Sequence, residues 1–223
     1  MPVYKKVLIV SHNVFSTKFN NGITLNNLFQ YWPDDKLCQL FFNRATDHVD
    51  RDIDFIQLNV ANLIRNFFRS GLFTMKPTLV DDGLPSSSTW KSTTNPFIRI
   101  LMRDLIYVFL FRVSGSIKAK LDIFKPDTIF VLAGGSLLSL YTAFLVSRFY
   151  NIPFSIYITD NYLYDNNDSG FLKRRMGCYV DKIYRFYFAR AKTIFVISRE
   201  LGERFNSLYR VDYQILINPG LDY

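Results

Sequence analysis

The chain has 223 residues, 49% of them hydrophobic, which is enough to bury a sizeable core and excludes a disordered protein. Its net charge of +8 is uneven: residues 171–192 carry seven basic residues against one acidic, a net +6, so the rest is near neutral and a general nucleic-acid-binding habit is excluded. Two cysteines are too few for a disulfide framework or a zinc site, and both Cys38, in a strand-like run, and Cys178, in a helix-like run, are expected to be buried, reduced thiols.

The first residues lead straight into an apolar strand at 6–10, with no long apolar segment and no small-residue cleavage site, which points to a cytoplasmic protein. A polar loop follows, and its Gly22 precedes a helix expected at 24–31. Strands at 37–42 and 55–58, a helix at 61–68, an aperiodic polar loop at 75–95 and a long helix at 96–124 come next. Residues 128–147 carry no charge and have the length of a membrane span, but Gly134, Gly135 and Ser136 split them into a buried strand, a turn and a helix. Further strands at 154–158, 193–197 and 213–217 alternate with helices at 137–150, 171–191 and 199–209. Several strands are almost continuously apolar, which implies cover on both faces. The pattern predicts a single α/β domain over 1–223: a Rossmann-like, doubly wound, mostly parallel sheet of about seven strands.

In such sheets ligands sit beyond the carboxyl ends of strands, so the loops there carry the candidate chemistry. The first contains His12, Asn13, Asn21, Gly22 and Ile23; glycine lets backbone approach a phosphate or sugar, and the helix start offers free N–H groups. It lacks the second glycine and Lys-Ser/Thr pair of a P-loop, and it is not GxGxxG. Gly134 and Gly135 end the fourth strand, where close packing and ligand approach explain them equally. The fifth ends in Thr159, Asp160 and Asn161; Asp160 suits an acceptor-orienting group or a general base, or equally a carboxylate bonded to its own turn. Ser198 fits a helix cap, and Asn218 follows the last strand. His12 and His48 form no catalytic cluster by spacing, and no metal-ligand spacing is present. In the basic segment Met176, Val180, Ile183, Tyr187 and Ala191 mark an apolar helix face, whereas Lys173, Arg174, Arg175, Lys182 and Arg185 suit either an anionic membrane surface or a solvated helix side.

In order and spacing, Val7-Leu8-Ile9-Val10-Ser11 with Asn21-Gly22, the strand at 36–42, Pro126-Asp127-Thr128-Ile129-Phe130-Val131, Ile152-Pro153-Phe154, Thr159-Asp160, Val196-Ile197-Ser198 and Asn218-Pro219-Gly220 resemble the N-terminal, acceptor-side domain of GT-B glycosyltransferases. The nearest likeness is to the family-4-like enzymes of bacterial surface-polysaccharide biosynthesis. The resemblance implies transfer of a sugar from a nucleotide-sugar donor to a glycan or lipid-linked acceptor, often at the inner membrane face. It implies that Asn21, Gly22 and Ile23 lie across the cleft from the donor phosphates, and that Thr159 and Asp160 occupy an active-site position where the family often has His. The family's donor site has no counterpart in these residues. The chain is thus expected to bind no cofactor by itself and to be inactive without a donor-binding domain or chain. The alternative is a non-catalytic, membrane-recruited α/β scaffold or partner subunit.

Overall fold

The structure is a computed structural model that describes residues 3–17, 20–42, 51–58, 115–133, 137–160 and 171–218. The chain divides into two compact units, Met1–Leu58 with Val113–Tyr223, and Asn59–Arg112. The first unit carries every element below. The expected helix at 61–68, loop at 75–95, the first part of the helix at 96–124, and His48 lie outside the described residues.

Seven strands form one parallel sheet: β1 (Val7–Ser11), β2 (Leu37–Phe41), β3 (Asp54–Gln57), β4 (Thr128–Ala133), β5 (Phe154–Ile158), β6 (Thr193–Val196) and β7 (Gln214–Ile215). Their order is β3-β2-β1-β4-β5-β6-β7, so the direction of winding reverses between β1 and β4. The fold is therefore the Rossmann-like α/β architecture that the strand and helix alternation implies. The described helices are α1 (Asn20–Leu28), α2 (Gly115–Phe124), α3 (Leu138–Tyr150), α4 (Phe171–Phe188) and α5 (Arg199–Tyr209), with a 3-10 turn at Asp34–Lys36.

The central strands β1, β2 and β4 are buried almost throughout, as their near-continuous apolar runs require. Strand alternation sends Val7, Ile9, Leu37, Phe130, Leu132 and Tyr157 to one face, where they pack with Leu25 of α1 and Phe29 just beyond it. Leu8, Val10, Leu40, Ile129, Val131 and Ile156 point to the other face and are equally buried; α3, which has no residue in the first cluster, packs along β1, β4 and β5 there. The uncharged stretch from 128 is thus β4 and most of α3. Among the described residues no helix is long and apolar enough to cross a membrane.

Several boundaries differ from expectation. Helix α1 starts at Asn20 rather than 24, so Gly22 lies in its first turn; the β1 loop packs so tightly against Gly22 that the helix closes around it despite two asparagines and a glycine. Of the expected strand at 213–217, Gln214 and Ile215 are in register with β6, and Leu216 N–H still reaches the Val196 carbonyl at 2.9 Å. Helices α2, α3 and α5 end on Lys125, Asn151 and Arg210, all with φ between 52° and 54°. In each case the residue's N–H returns to a carbonyl four residues back, the left-handed cap usually assigned to glycine.

Candidate functional site

All strands being parallel, their carboxyl ends share one edge of the sheet, and the winding reverses between β1 and β4, the place where sheets of this kind bind ligands. The loop leaving β1 there is held from within. Gln39, at the centre of β2 and fully buried, accepts a hydrogen bond from Phe15 N–H through Oε1 (3.1 Å). Its Nε2 donates to Ser11 Oγ (2.8 Å) and to the Asn13 carbonyl (3.0 Å), and Ser11 Oγ donates to that same carbonyl (2.8 Å). Left unbonded, a buried amide of this kind costs roughly 2–7 kcal/mol, so these bonds are what make a glutamine tolerable inside the sheet. The residue is legible as an anomaly: it is the one strongly polar side chain in Leu37-Cys38-Gln39-Leu40-Phe41, although the motif reading passed over it.

Two further contacts close on this loop. A Cβ on Gly22 would meet the Val14 carbonyl oxygen at 2.5 Å and Ser16 Cβ at 2.7 Å, so glycine is required by the close approach of helix and loop. The glycine expected to admit a ligand thus has a packing cause on the face where a side chain would stand. Arg51 lies over the Phe15 ring (5.4 Å from its centroid) and donates to the carbonyls of Phe29 (2.8 Å) and Trp32 (2.6 Å) and to Asp34 Oδ1 (2.8 Å), tying the end of α1 to the approach to β3. His12 and Asn13 are half-buried on this loop, and the His12 ring stands 5.9 Å from Phe42; Asn21 and Ile23 are half-buried in the first turns of α1.

Gly134, Gly135 and Asn161 lie outside the described residues. Thr159 is half-buried and Asp160 exposed just beyond β5, on the adjoining stretch of the same edge. Ser198 takes its expected part as the cap of α5, its Oγ accepting from Leu201 N–H at 3.3 Å. Asn218 is buried beyond β7, and the segment leading to it is fastened by Tyr157, whose hydroxyl donates to the Leu216 carbonyl at 3.0 Å. Burial pushes the Tyr157 phenol up to about 12. The sheet therefore brings His12, Asn13, Thr159, Asp160, Ser198 and Asn218 to one edge, with the loop of the first two anchored by buried Gln39 and the segment before Asn218 by buried Tyr157.

No protein-family model and no curated protein matches this chain.

Away from the edge, α4 carries the basic residues. Lys173, Arg174 and Arg175 belong to its first turns, and Lys182 and Arg185 are exposed. Its buried face is Val180, Tyr184, Tyr187 and Phe188, a rotation from the expected face, since Tyr184 and Phe188 pack against Phe205 and Tyr209 of α5 and large rings bury more area than Ile183 would. Tyr209 donates to Asp181 Oδ1 at 2.8 Å, and the Arg185 guanidinium lies 5.2 Å from the Tyr209 ring centroid. Burial, then the Asp181 bond, raises the Tyr209 phenol far above its ordinary range. Arg190 stacks over Phe186 at 3.6 Å. Cys178 is exposed on α4, contrary to expectation, because it stands on the side of the helix away from Val180 and Tyr187; Cys38 is buried, and burial followed by the Asp54 charge pushes its thiol up to about 12. Among the described residues no three His, Cys, Asp or Glu are grouped to hold a metal ion.

Proposed function

We propose that this chain is the acceptor-side half of a glycosyltransferase that moves a sugar from a nucleotide-sugar donor to a glycan or lipid-linked acceptor. The observation that carries the reading is the strand order, whose reversal between β1 and β4 leaves a crevice at the edge where His12, Asn13, Thr159, Asp160, Ser198 and Asn218 collect. The acceptor lies along this edge, with Asp160 orienting its hydroxyl or accepting its proton. Asn21, Gly22 and Ile23 of α1 face the donor, which a donor-binding domain or chain supplies. The work is cytoplasmic, at the inner membrane face, with Lys173, Arg174, Arg175, Lys182 and Arg185 of α4 towards anionic lipid, each contributing about 1 kcal/mol near such a surface.

Calorimetric titration tests this reading. A prenyl-diphosphate-linked N-acetylglucosamine, used as the acceptor probe, is expected to bind, and Asp160→Ala to weaken transfer at least tenfold in the presence of a donor-binding partner while the melting temperature holds. Stoichiometric binding of NAD or a nucleotide sugar by the chain alone, with no acceptor binding, would replace this reading with a nucleotide-binding one. A second, non-catalytic reading, a membrane-recruited scaffold, draws on the net +6 of residues 171–192. It is favoured if anionic vesicles bind the chain and no acceptor does.

A further inference from the structure

We infer that Gln39 is the positioning residue of the crevice: from inside the sheet its amide fixes the shape of the loop that follows β1. What that loop contacts rests on the proposed function, whereas the shape argument stands on the chain's own bonds. Strand pairing uses backbone groups only, so nothing in the β1–β2 or β2–β3 ladders calls for a glutamine at this point. The neighbours Leu37, Cys38, Leu40 and Phe41 are all buried, and an aliphatic side chain would suit the position better. Gln39 instead directs its acceptor and both its donor hydrogens into residues 11–15.

The loop has irregular backbone there, and two of its groups depend on this amide. Phe15 N–H has Gln39 Oε1 as its acceptor, and the Asn13 carbonyl receives Gln39 Nε2 together with Ser11 Oγ. Meeting an N–H and a carbonyl at once requires a side chain that accepts and donates, as a primary amide does and leucine, glutamate anion or lysine does not. Gly22 on one side and the Arg51 guanidinium over Phe15 on the other leave the loop little room to find substitutes. The consequence is preorganisation: a ligand meeting this edge finds the β1 loop already in shape and loses no affinity in ordering it.

Hydrogen exchange on the free chain tests this, comparing wild type with Gln39→Leu, Gln39→Glu and Ser11→Ala. In Gln39→Leu the Phe15 amide is expected to exchange at least tenfold faster, with Leu8 of β1 and Val131 of β4 keeping wild-type rates. The glutamate variant adds a readout that simple core packing would not move. Its neutral carboxyl still accepts from Phe15 and donates to Ser11 or Asn13, whereas its anion faces the Asn13 carbonyl without a hydrogen. Burial raises a carboxyl in such a place; the anion keeps an acceptor for Phe15 but repels the Asn13 carbonyl and displaces the loop, so Phe15 protection, corrected for intrinsic exchange, should approach wild type at pH 5 and fall below it at pH 9. Unchanged Phe15 protection in Gln39→Leu overturns the inference, as does a pH-independent Gln39→Glu or equal loss of protection at Leu8, Val131 and Phe15. Should Gln39→Leu fail to fold, Ser11→Ala decides, with Phe15 and its neighbours expected to exchange severalfold faster and unchanged rates counting against. In a final arm, Gln39→Leu should bind the prenyl-diphosphate-linked probe at least tenfold more weakly than wild type. If exchange behaves as expected while neither protein binds the probe, the positioning role stands and the glycosyltransferase reading falls.

Discussion

The loop after β1 and the α4–α5 contact are held by opposite means. The loop depends on directional bonds from one buried amide, with four hydrogen bonds among Ser11, Asn13, Phe15 and Gln39. The helix pair depends on rings: Tyr184 stacks on Phe188, Phe188 meets Phe205 and Tyr209 edge to face, and the hydrogen bond from Tyr209 to Asp181 is added to that packing. Directional bonds specify a shape and lose it locally when one partner goes. Apolar packing secures mass, tolerates small shifts, and is felt throughout the domain when a ring is removed.

The largest expected effect comes from breaking the packed region. Phe205→Ala should lower unfolding free energy by ~3–5 kcal/mol with the Phe15 amide still protected in the folded fraction, as read by denaturant titration together with exchange. Gln39→Leu should show the reverse balance, with a loss of about 1–3 kcal/mol and a large local change in exchange. If it destabilises the domain as much as Phe205→Ala, the contrast fails.

Tyr157 combines both means, since it is buried among rings and also donates to Leu216. Its phenol is raised in the folded state to about 12 from a model-compound 10, so its contribution is fully present below pH 10 and is lost as pH climbs towards 12. Tyr157→Phe should therefore cost about 1 kcal/mol at pH 8 and less at pH 11, measured as the shift in denaturant midpoint at the two pH values. An equal cost at both would show that the phenol does not titrate with unfolding. The smallest effect has the opposite sign. Thr142 on α3 is fully buried and its Oγ1 finds no hydrogen-bond partner among the described residues, so Thr142→Val should raise stability by roughly 0.5–1 kcal/mol.

Much of the fold was legible because its signals are local. Runs such as Val7-Leu8-Ile9-Val10 and Thr128-Ile129-Phe130-Val131 can be covered only inside a parallel sheet, and all seven expected strands occur within a few residues of their predicted bounds. Ser198 was readable for the same reason, since a cap bonds within its own turn. Gly22 carries a second cause that its sequence position did not show, the close approach of Val14 and Ser16 where a side chain would stand. Cys178 misled because an apolar-looking run suggests burial, although helical spacing sets Cys178 opposite Val180 and Tyr187.

The sequence by itself determined the secondary structure, the parallel class of the sheet and the loops that could carry chemistry, since hydrophobic period, turn residues and caps act over a few positions. Only the tertiary structure decided the strand order, the reversal between β1 and β4, and the role of Gln39. Those depend on contacts between residues 24 to 28 positions apart, as in Gln39 to Phe15 and to Ser11, or as many as 121 apart, as in Lys6 N–H to Asp127. No short window of sequence records which polar group will meet which once the strands are side by side.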